Sequence, residues 1–248
     1  MMYLSEVNEW DIVKKQYRYK LKSYFGMFTS LMMIQLLAIL FSFNGTGMSG
    51  GSSSSLDFEV HYFTSDILQV FMMIWAFISA IIITTKAYRN DDYAFVTNRR
   101  ISHFSNVLFL FSASVIAGLT GYLAIHLFKV ITFMLKDSSS IMVESLTATG
   151  LLKGIPASIL YIFLFACAGY FVGMLVQFNK IFAVLVPILC VGALILDGMT
   201  GDPTLLVSAL TFFGSEMSFL LFLVKILGVS FLFLLGSIGI SNRLEVRK

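Results

Sequence analysis

Five stretches of about 20 or more mostly apolar residues restrict what this chain can fold into more than any other feature. An α-helix needs about 20 apolar residues to cross the roughly 30 Å hydrocarbon core of a bilayer. The composition agrees, because 58% of the 248 residues are hydrophobic and only 12% are charged, whereas a soluble domain is about one quarter charged. The sequence therefore predicts an all-α integral membrane protein with spans at about 24–43, 66–85, 104–128, 155–178 and 219–240.

One further span, the fifth in chain order, is expected over 181–196 and brings the total to six. This stretch is slightly short for a span. However, the polar turn at 177–180 precedes it and Asp197 follows it, so polar residues bound the apolar segment at both ends. The chain is predicted to form a single transmembrane domain, 1–248, with six transmembrane helices.

The basic residues are distributed unevenly between the segments that connect the spans. Cytoplasmic connections of membrane proteins carry an excess of Lys and Arg. If the N-terminus lies inside, thirteen of the 17 basic residues fall on the cytoplasmic side, which predicts a multi-pass cell-membrane protein with both termini cytoplasmic. These thirteen are Lys14, Lys15, Arg18, Lys20, Lys22, Lys86, Arg89, Arg99, Arg100, Lys180, Arg243, Arg247 and Lys248.

The N-terminal segment 8–22 has the pattern of an amphipathic helix. Its large apolar residues recur every three or four positions, and its charged residues recur on another side. Aromatic residues toward lipid and cations toward headgroups are typical of an interfacial helix, with Trp10, Lys14 and Arg18 as its main contacts. The alternative is an ordinary basic flank. The apolar set is Trp10, Val13, Tyr17, Leu21 and Tyr24, and the charged set is Asp11, Lys14, Lys15, Arg18 and Lys22.

Two connections on the outer side differ in character. Residues 44–55 read NGTGMSGGSSSS, which predicts a flexible Gly/Ser loop. Residues 203–214 form an apolar run too short to cross, and Asp202 with Pro203 is a favourable helix start. We expect an outer, re-entrant-like half-helix there, with an apolar surface loop as the alternative.

The inner segment 86–103 is dense in polar and aromatic residues. Carboxylates are favoured at a helix N-terminus, so a short helix beginning near Asp91 or Asp92 is predicted. A plain solvated loop requires no aromatic residues, which makes this segment the candidate contact surface. Tyr93, Phe95 and the adjacent Phe104 supply apolar contact surface, and Asn98, Arg99 and Arg100 supply hydrogen-bond donors.

Motifs for chemistry are absent from the sequence. It contains no GxxxxGK[ST] loop for a nucleotide and no HExxH pair for a metal, so no catalytic residue, metal site or cofactor is predicted in this chain. Lys225 is the one charge predicted inside a span. Snorkelling to the outer headgroups is expected for it, with pairing to Glu216 as the alternative.

Gly169 and Gly173 form a GxxxG motif in the fourth span. Such small faces allow two helices to approach closely. The contact is expected within the bundle, although the motif also suits a contact between two copies.

The combined pattern resembles the membrane subunits of ABC-2 type exporters over essentially the whole chain. The shared parts are an inner amphipathic helix before span one, six spans, a polar segment between spans two and three, and a half-helix before span six. The stretch FVTNRRISHFSN, 95–106, occupies the place of the family motif F-x-x-x-P-[VI]-S-R, without its proline and with the arginines before the serine.

The resemblance implies a permease without catalytic activity of its own. In that family the segment between spans two and three docks on a separate ATPase subunit, which binds ATP and Mg, and two permeases, copies or paralogues, pair around the path. The resemblance implies a docking surface here with Trp10, Lys14 and Arg18 nearby; its residues are Asp91, Asp92, Tyr93, Phe95, Asn98, Arg99 and Arg100. The implied cargo is amphipathic or hydrophobic, such as a peptide, antibiotic or lipid, and no nucleic acid partner is implied. The heavy use of Ile and Phe suggests a Gram-positive bacterial host.

Two other classes remain open on the sequence alone. One is a stand-alone secondary transporter or channel, which would transport without an added ATPase. The other is a membrane immunity or scaffold protein, which would bind a ligand without moving it.

Overall fold

The computed structural model describes residues 9–43, 47–53, 56–62, 66–92, 99–135, 148–200, 205–214, 216 and 218–243. This part of the chain contains nine helices and one strand pair. The helices are α1 (Glu9–Ser23), α2 (Phe25–Ser42), α3 (Asp66–Ile83), α4 (Lys86–Asp92), α5 (Arg99–Leu135), α6 (Ala148–Phe178), α7 (Phe182–Thr200), α8 (Leu205–Gly214) and α9 (Phe219–Arg243); the strands are β1 (Gly47–Ser53) and β2 (Leu56–Tyr62).

Five of these helices are long and apolar enough to cross a membrane, namely α2, α3, α5, α6 and α9. Each coincides with a span predicted from the sequence, so the prediction of a helical protein suited to a membrane is confirmed for these five candidate spans. In α7 the structure has a shorter apolar stretch, Phe182–Ala193.

Side-chain contacts define the direction of each helix. Tyr24 contacts Phe109 and Phe43 contacts Phe128, so α2 and α5 run parallel. Trp75 of α3 donates a hydrogen bond to Ser30 of α2, 2.9 Å away, and the earlier Phe71 packs against the later Phe41. Helix α3 therefore runs antiparallel to α2. We call the end where α2 and α5 begin the basic end, and the opposite end the far end.

Helix α6 returns toward the basic end beside α3, and α9 returns beside α6. Gln69 bonds with Ser158 near the start of α3 and α6, and Thr84 bonds with Gln177 near their ends. Phe233 of α9 packs beside Phe171 of α6. The buried core therefore lies between α2, α3, α5 and α6, and α9 packs on the outside of α6.

Two spans are much longer than hydropathy predicts. With 37 and 31 residues, α5 and α6 extend about 55 Å and about 46 Å at 1.5 Å per residue. The predicted span 104–128 corresponds to the apolar middle of α5, and 155–178 corresponds to all of α6 after its first two turns. Helix α5 therefore continues beyond the hydrocarbon core into segments that were predicted as connections.

The connection between α2 and α3 contains an antiparallel hairpin where the sequence predicted a Gly/Ser loop. Its register pairs Gly47 with Tyr62 and Ser53 with Leu56. The second strand, LDFEVHY, alternates apolar and polar residues, which is the period of a β-strand. Pairing uses backbone groups alone, so a Gly/Ser segment can serve as its partner.

Candidate functional site

The predicted contact segment begins at the basic end with α4. The structure describes Asp91, which is half-buried, and Arg100, which is exposed in the first turn of α5. The predicted contact residues Tyr93, Phe95 and Asn98 lie outside the described residues, as do the side chains of Asp92 and Arg99.

The predicted helix start at Asp91 or Asp92 is wrong, because α4 ends there. Helix α4 follows α3 after a turn in which the Thr84 and Thr85 amides bond to carbonyls three residues earlier. Both threonine hydroxyls bond back to the same carbonyls, Ile81 and Ile82. Such local bonds compete with the regular helix ladder. The aspartates therefore lie at the C-terminal end, where the helix dipole does not favour them.

Helix α4 is tied to the ends of two spans by polar contacts. Nη1 of Arg89 donates to Oε1 of Gln177 at 3.3 Å. The Gln177 amide in turn donates to the backbone carbonyl of Thr84. A movement of α4 must therefore act on the last turns of both α3 and α6.

Aromatic rings join α4 to the other side of the bundle. Tyr88 packs edge-on against Tyr24, with ring centroids 4.6 Å apart, and Tyr24 packs against Phe109 at 5.6 Å. Tyr24 lies at the junction of α1 and α2, and Phe109 lies on α5. Close-packed rings transmit displacement because they leave little free space. Through these contacts α4 reaches α2 and α5 as well.

Helix α1 packs along the beginning of α5 with the predicted charged face outward. Trp10 is 56% exposed and lies beside Phe104, which is 52% exposed, with ring centroids 6.1 Å apart. The side chains of Lys14 and Arg18 are exposed. The predicted interfacial contacts thus lie on the exposed side of α1, and placement at a lipid surface stays a prediction.

Sequence reasoning missed Lys20, the one basic residue of α1 that faces the bundle. Its side chain is 1% exposed. The ammonium donates to Oγ of Ser105 at 2.9 Å and to Oδ1 of Asn106 at 2.5 Å. A buried charge is costly unless it is hydrogen-bonded, and these two oxygens of α5 supply that stabilisation. The sequence feature that distinguishes Lys20 is its position around the helix. It lies at helical spacing from the buried Val13 and Gln16, whereas Lys14 and Arg18 lie on the exposed side.

The hydrogen bonds continue from Lys20 into α6. Nδ2 of Asn106 donates to the Tyr170 hydroxyl at 3.3 Å, and that hydroxyl lies 2.6 Å from Nδ1 of His103. We call Lys20, His103, Ser105, Asn106 and Tyr170 the buried polar cluster. All five side chains are buried, and together they join α1, α5 and α6.

Gly169 and Gly173 lie where α6 meets α3 within one chain. A Cβ added to Gly169 would be 2.3 Å from the backbone oxygen of Phe77, and one added to Gly173 would be 2.2 Å from Oγ1 of Thr84. Helix α3 therefore occupies the small face of α6 at both positions.

Lys225 does not follow the expected snorkelling. Its ammonium forms an ion pair with Glu216, and the two side chains are 26% and 21% exposed. The Glu216 carboxylate therefore neutralises this charge of α9 at the far end. Pairing with Glu216 was the alternative predicted from the sequence.

Among the described residues, no group of three or more His, Cys, Asp or Glu side chains could hold a metal ion. No protein-family model, curated protein or solved structure matches the chain.

Proposed function

We propose that the chain is the permease subunit of an ATP-driven exporter of the ABC-2 type. The observation that carries this proposal is the double attachment of α4, through Arg89 to α6 and through Tyr88 to Tyr24. A short helix that bears on several spans at once suits an element that receives force from a partner. The segment 86–103 is the proposed docking surface, with Asp91, Asp92, Tyr93, Phe95, Asn98, Arg99 and Arg100 as its contacts.

The proposed topology has six spans. Helix α6 ends at the basic end with Phe178, while Phe213 of α8 bonds with Tyr161, in the middle of α6 and about 25 Å from that end along the helix. The chain must return between these points, and α7 has 19 residues, or about 28 Å of helix. Helix α7 is therefore the proposed sixth span, and α8, with about 15 Å, is the proposed re-entrant half-helix.

The proposed assembly follows from this topology. Both termini lie in the cytoplasm of a bacterial cell, with the basic end inside, as the positive-inside rule requires. A separate ATPase subunit holds ATP and Mg, and a second permease, a copy or a paralogue, completes the path. The cargo class is amphipathic or hydrophobic, such as a peptide, an antibiotic or a lipid.

A pull-down from the native membrane tests this proposal. The chain serves as bait, in wild-type form and with Phe95 and Arg99 both changed to Ala. The matched control changes Phe178 and Lys180 to Ala, since they are also an exposed aromatic and an exposed cation at the basic end. Recovery of a soluble ATPase by the wild type and the control, but not by the Phe95/Arg99 variant, is expected. Equal recovery by all three would contradict docking at this segment.

One observation favours a second candidate, a stand-alone secondary transporter. Ion-coupled carriers use ionisable groups buried in the bundle, and the buried polar cluster links Lys20 through Asn106 to Tyr170 and His103. A carrier of this kind acidifies or alkalinises liposomes that contain only the purified chain. The exporter predicts no such proton movement without an ATPase and ATP.

A further inference from the structure

A lysine near the start of α9 contacts the C-terminal end of α8 and a carboxylate in the connection between the two helices. The Lys225 ammonium donates to the backbone oxygen of Phe212 at 3.3 Å and lies 3.9 Å from the centroid of the Phe212 ring. The same ammonium pairs with Glu216, in the connection between α8 and α9. One cation of α9 therefore contacts three groups that precede this helix: the Phe212 carbonyl, the Phe212 ring and the Glu216 carboxylate.

Two of the last carbonyls of α8 accept hydrogen bonds from side chains of other helices. The final carbonyls of any helix lack partners within it, and a cation there is favourable. Lys225 of α9 takes the Phe212 carbonyl, and the hydroxyl of Tyr161, on α6, donates to the Phe213 carbonyl at 3.1 Å. A helix of ten residues is marginal on its own. Its order at this end thus depends on Lys225 and Tyr161.

Beneath this end of α8 lies a small aromatic cluster between α6 and α9. Tyr161 and Phe222 have ring centroids 5.0 Å apart, and Phe213 of α8 packs against the cluster. Phe212 is 48% exposed on the other side. The end of α8 therefore covers the far end of the contact between α6 and α9.

Helix α8 ends at a residue suited to act as a hinge. Gly214 is exposed, and no heavy atom would meet a Cβ placed there. Glycine gives the backbone wide conformational freedom. Rotation about this point would lift α8 away from α6 while leaving α9 in place.

We propose that Lys225 is a latch that holds α8 closed over α6 and α9, and that α8 is the moving element of the far end. The contacts lie beside a membrane span, where a lower dielectric strengthens each of them relative to water. Breaking them frees the Phe212 carbonyl and ring from α9. Glu216, on the α9 side of Gly214, orients the Lys225 ammonium toward Phe212, and the bond from Tyr161 to the Phe213 carbonyl is then left to hold this end of α8. A role of this movement in cargo release rests on the proposed exporter function; the latch itself does not.

Hydrogen–deuterium exchange of the chain in lipid nanodiscs, with no ATPase present, tests the latch. The variants are Lys225→Gln, which removes the charge, and Lys225→Arg, which keeps it. Lys153→Gln is the matched control, because Lys153 is an exposed lysine near the far end of α6. We expect Lys225→Gln to raise amide exchange over 205–214 about tenfold and to leave 230–243 unchanged. We expect Lys225→Arg and Lys153→Gln to exchange like the wild type.

Unchanged exchange over 205–214 in Lys225→Gln would overturn the proposal, as would equally fast exchange in Lys225→Arg. If Lys225→Gln raises exchange throughout the bundle, the Glu216→Gln variant distinguishes loss of the latch from general loss of folding. Faster exchange confined to 205–214 in that variant supports the latch, and wild-type exchange overturns it. Because no partner is present, this result is independent of ATPase docking, which the pull-down tests.

Discussion

The ammonium of Lys20 lies 2.5 Å from Oδ1 of Asn106, and this contact joins α1 to α5 inside the bundle. Through Asn106 and Tyr170 the same contact reaches α6. Helix α1 is thus fixed to two spans by a buried charge, while its other cations face outward. A helix held in this way moves together with the beginning of α5.

Changing Lys20 to Met should loosen α1 while preserving its apolar stem. The variant leaves the Asn106 and Ser105 oxygens without their buried donor, and each unsatisfied group costs about 1–3 kcal/mol. We expect SDS-induced unfolding at lower SDS than in the wild type, together with faster proteolysis within α1. Lys22→Met is the control, because Lys22 is exposed two residues away. Equal effects of the two substitutions would show that the buried contact is not stabilising.

The two glycines of α6 should differ in their tolerance of alanine. At Gly169 the new methyl would meet the Phe77 backbone, which cannot rotate away, so Gly169→Ala should destabilise the bundle by about 1–3 kcal/mol. At Gly173 the obstacle is the Thr84 side chain, so a smaller loss is expected. Gly192→Ala meets nothing within 4 Å and should be neutral or stabilising by up to about 1 kcal/mol. Thermal unfolding in detergent gives the order, and a Gly173→Ala variant less stable than Gly169→Ala would contradict the packing described.

The contact between Arg89 and Gln177 should be visible in a double-mutant cycle. Alanine at each position alone and at both together should give a coupling free energy of about 0.5–3 kcal/mol, because the two side chains share one hydrogen bond. The control pairs Arg89→Ala with Gln69→Ala, since Gln69 lies at the far end. That pair should be additive. A coupling free energy of zero for Arg89 and Gln177 would show that this hydrogen bond does not link α4 to α6.

The position of α1 relative to lipid can be measured with the two tryptophans of the chain. Trp10 is 56% exposed, whereas Trp75 is 3% exposed in the core. Lipids brominated near the headgroups should quench the fluorescence of a Trp75→Phe variant strongly and that of a Trp10→Phe variant weakly. Trp10 quenched only by deep bromines, or not at all, would argue against an interfacial α1.

Hydropathy was sufficient for the spans, because about 20 apolar residues have few alternatives to a membrane helix. It was insufficient for their ends: α5 begins at Arg99 and ends at Leu135, since backbone bonding continues beyond the apolar part. The hairpin was missed because Gly and Ser in β1 have no strand preference, although β2 alternates.

The candidate site was predictable in its location but only partly in its contacts. The aromatic and charged residues of 86–103 marked the segment, yet the partners of Arg89 and Tyr88 come from α6 and from the junction of α1 and α2, about 60 to 90 residues away in sequence. Lys20 was hidden among exposed lysines, and only its helical phase distinguished it. Long-range partners of this kind follow from packing rather than from local pattern.

Photo-crosslinking from position 95 in the native membrane tests the central claim most directly. A photoreactive amino acid replaces Phe95, and a second chain carries it at Phe178 as the control. The exporter account predicts that position 95, but not position 178, becomes covalently joined to a soluble ATPase with a nucleotide-binding GxxxxGK[ST] loop. A chain whose position 95 crosslinks only to lipid would contradict the account.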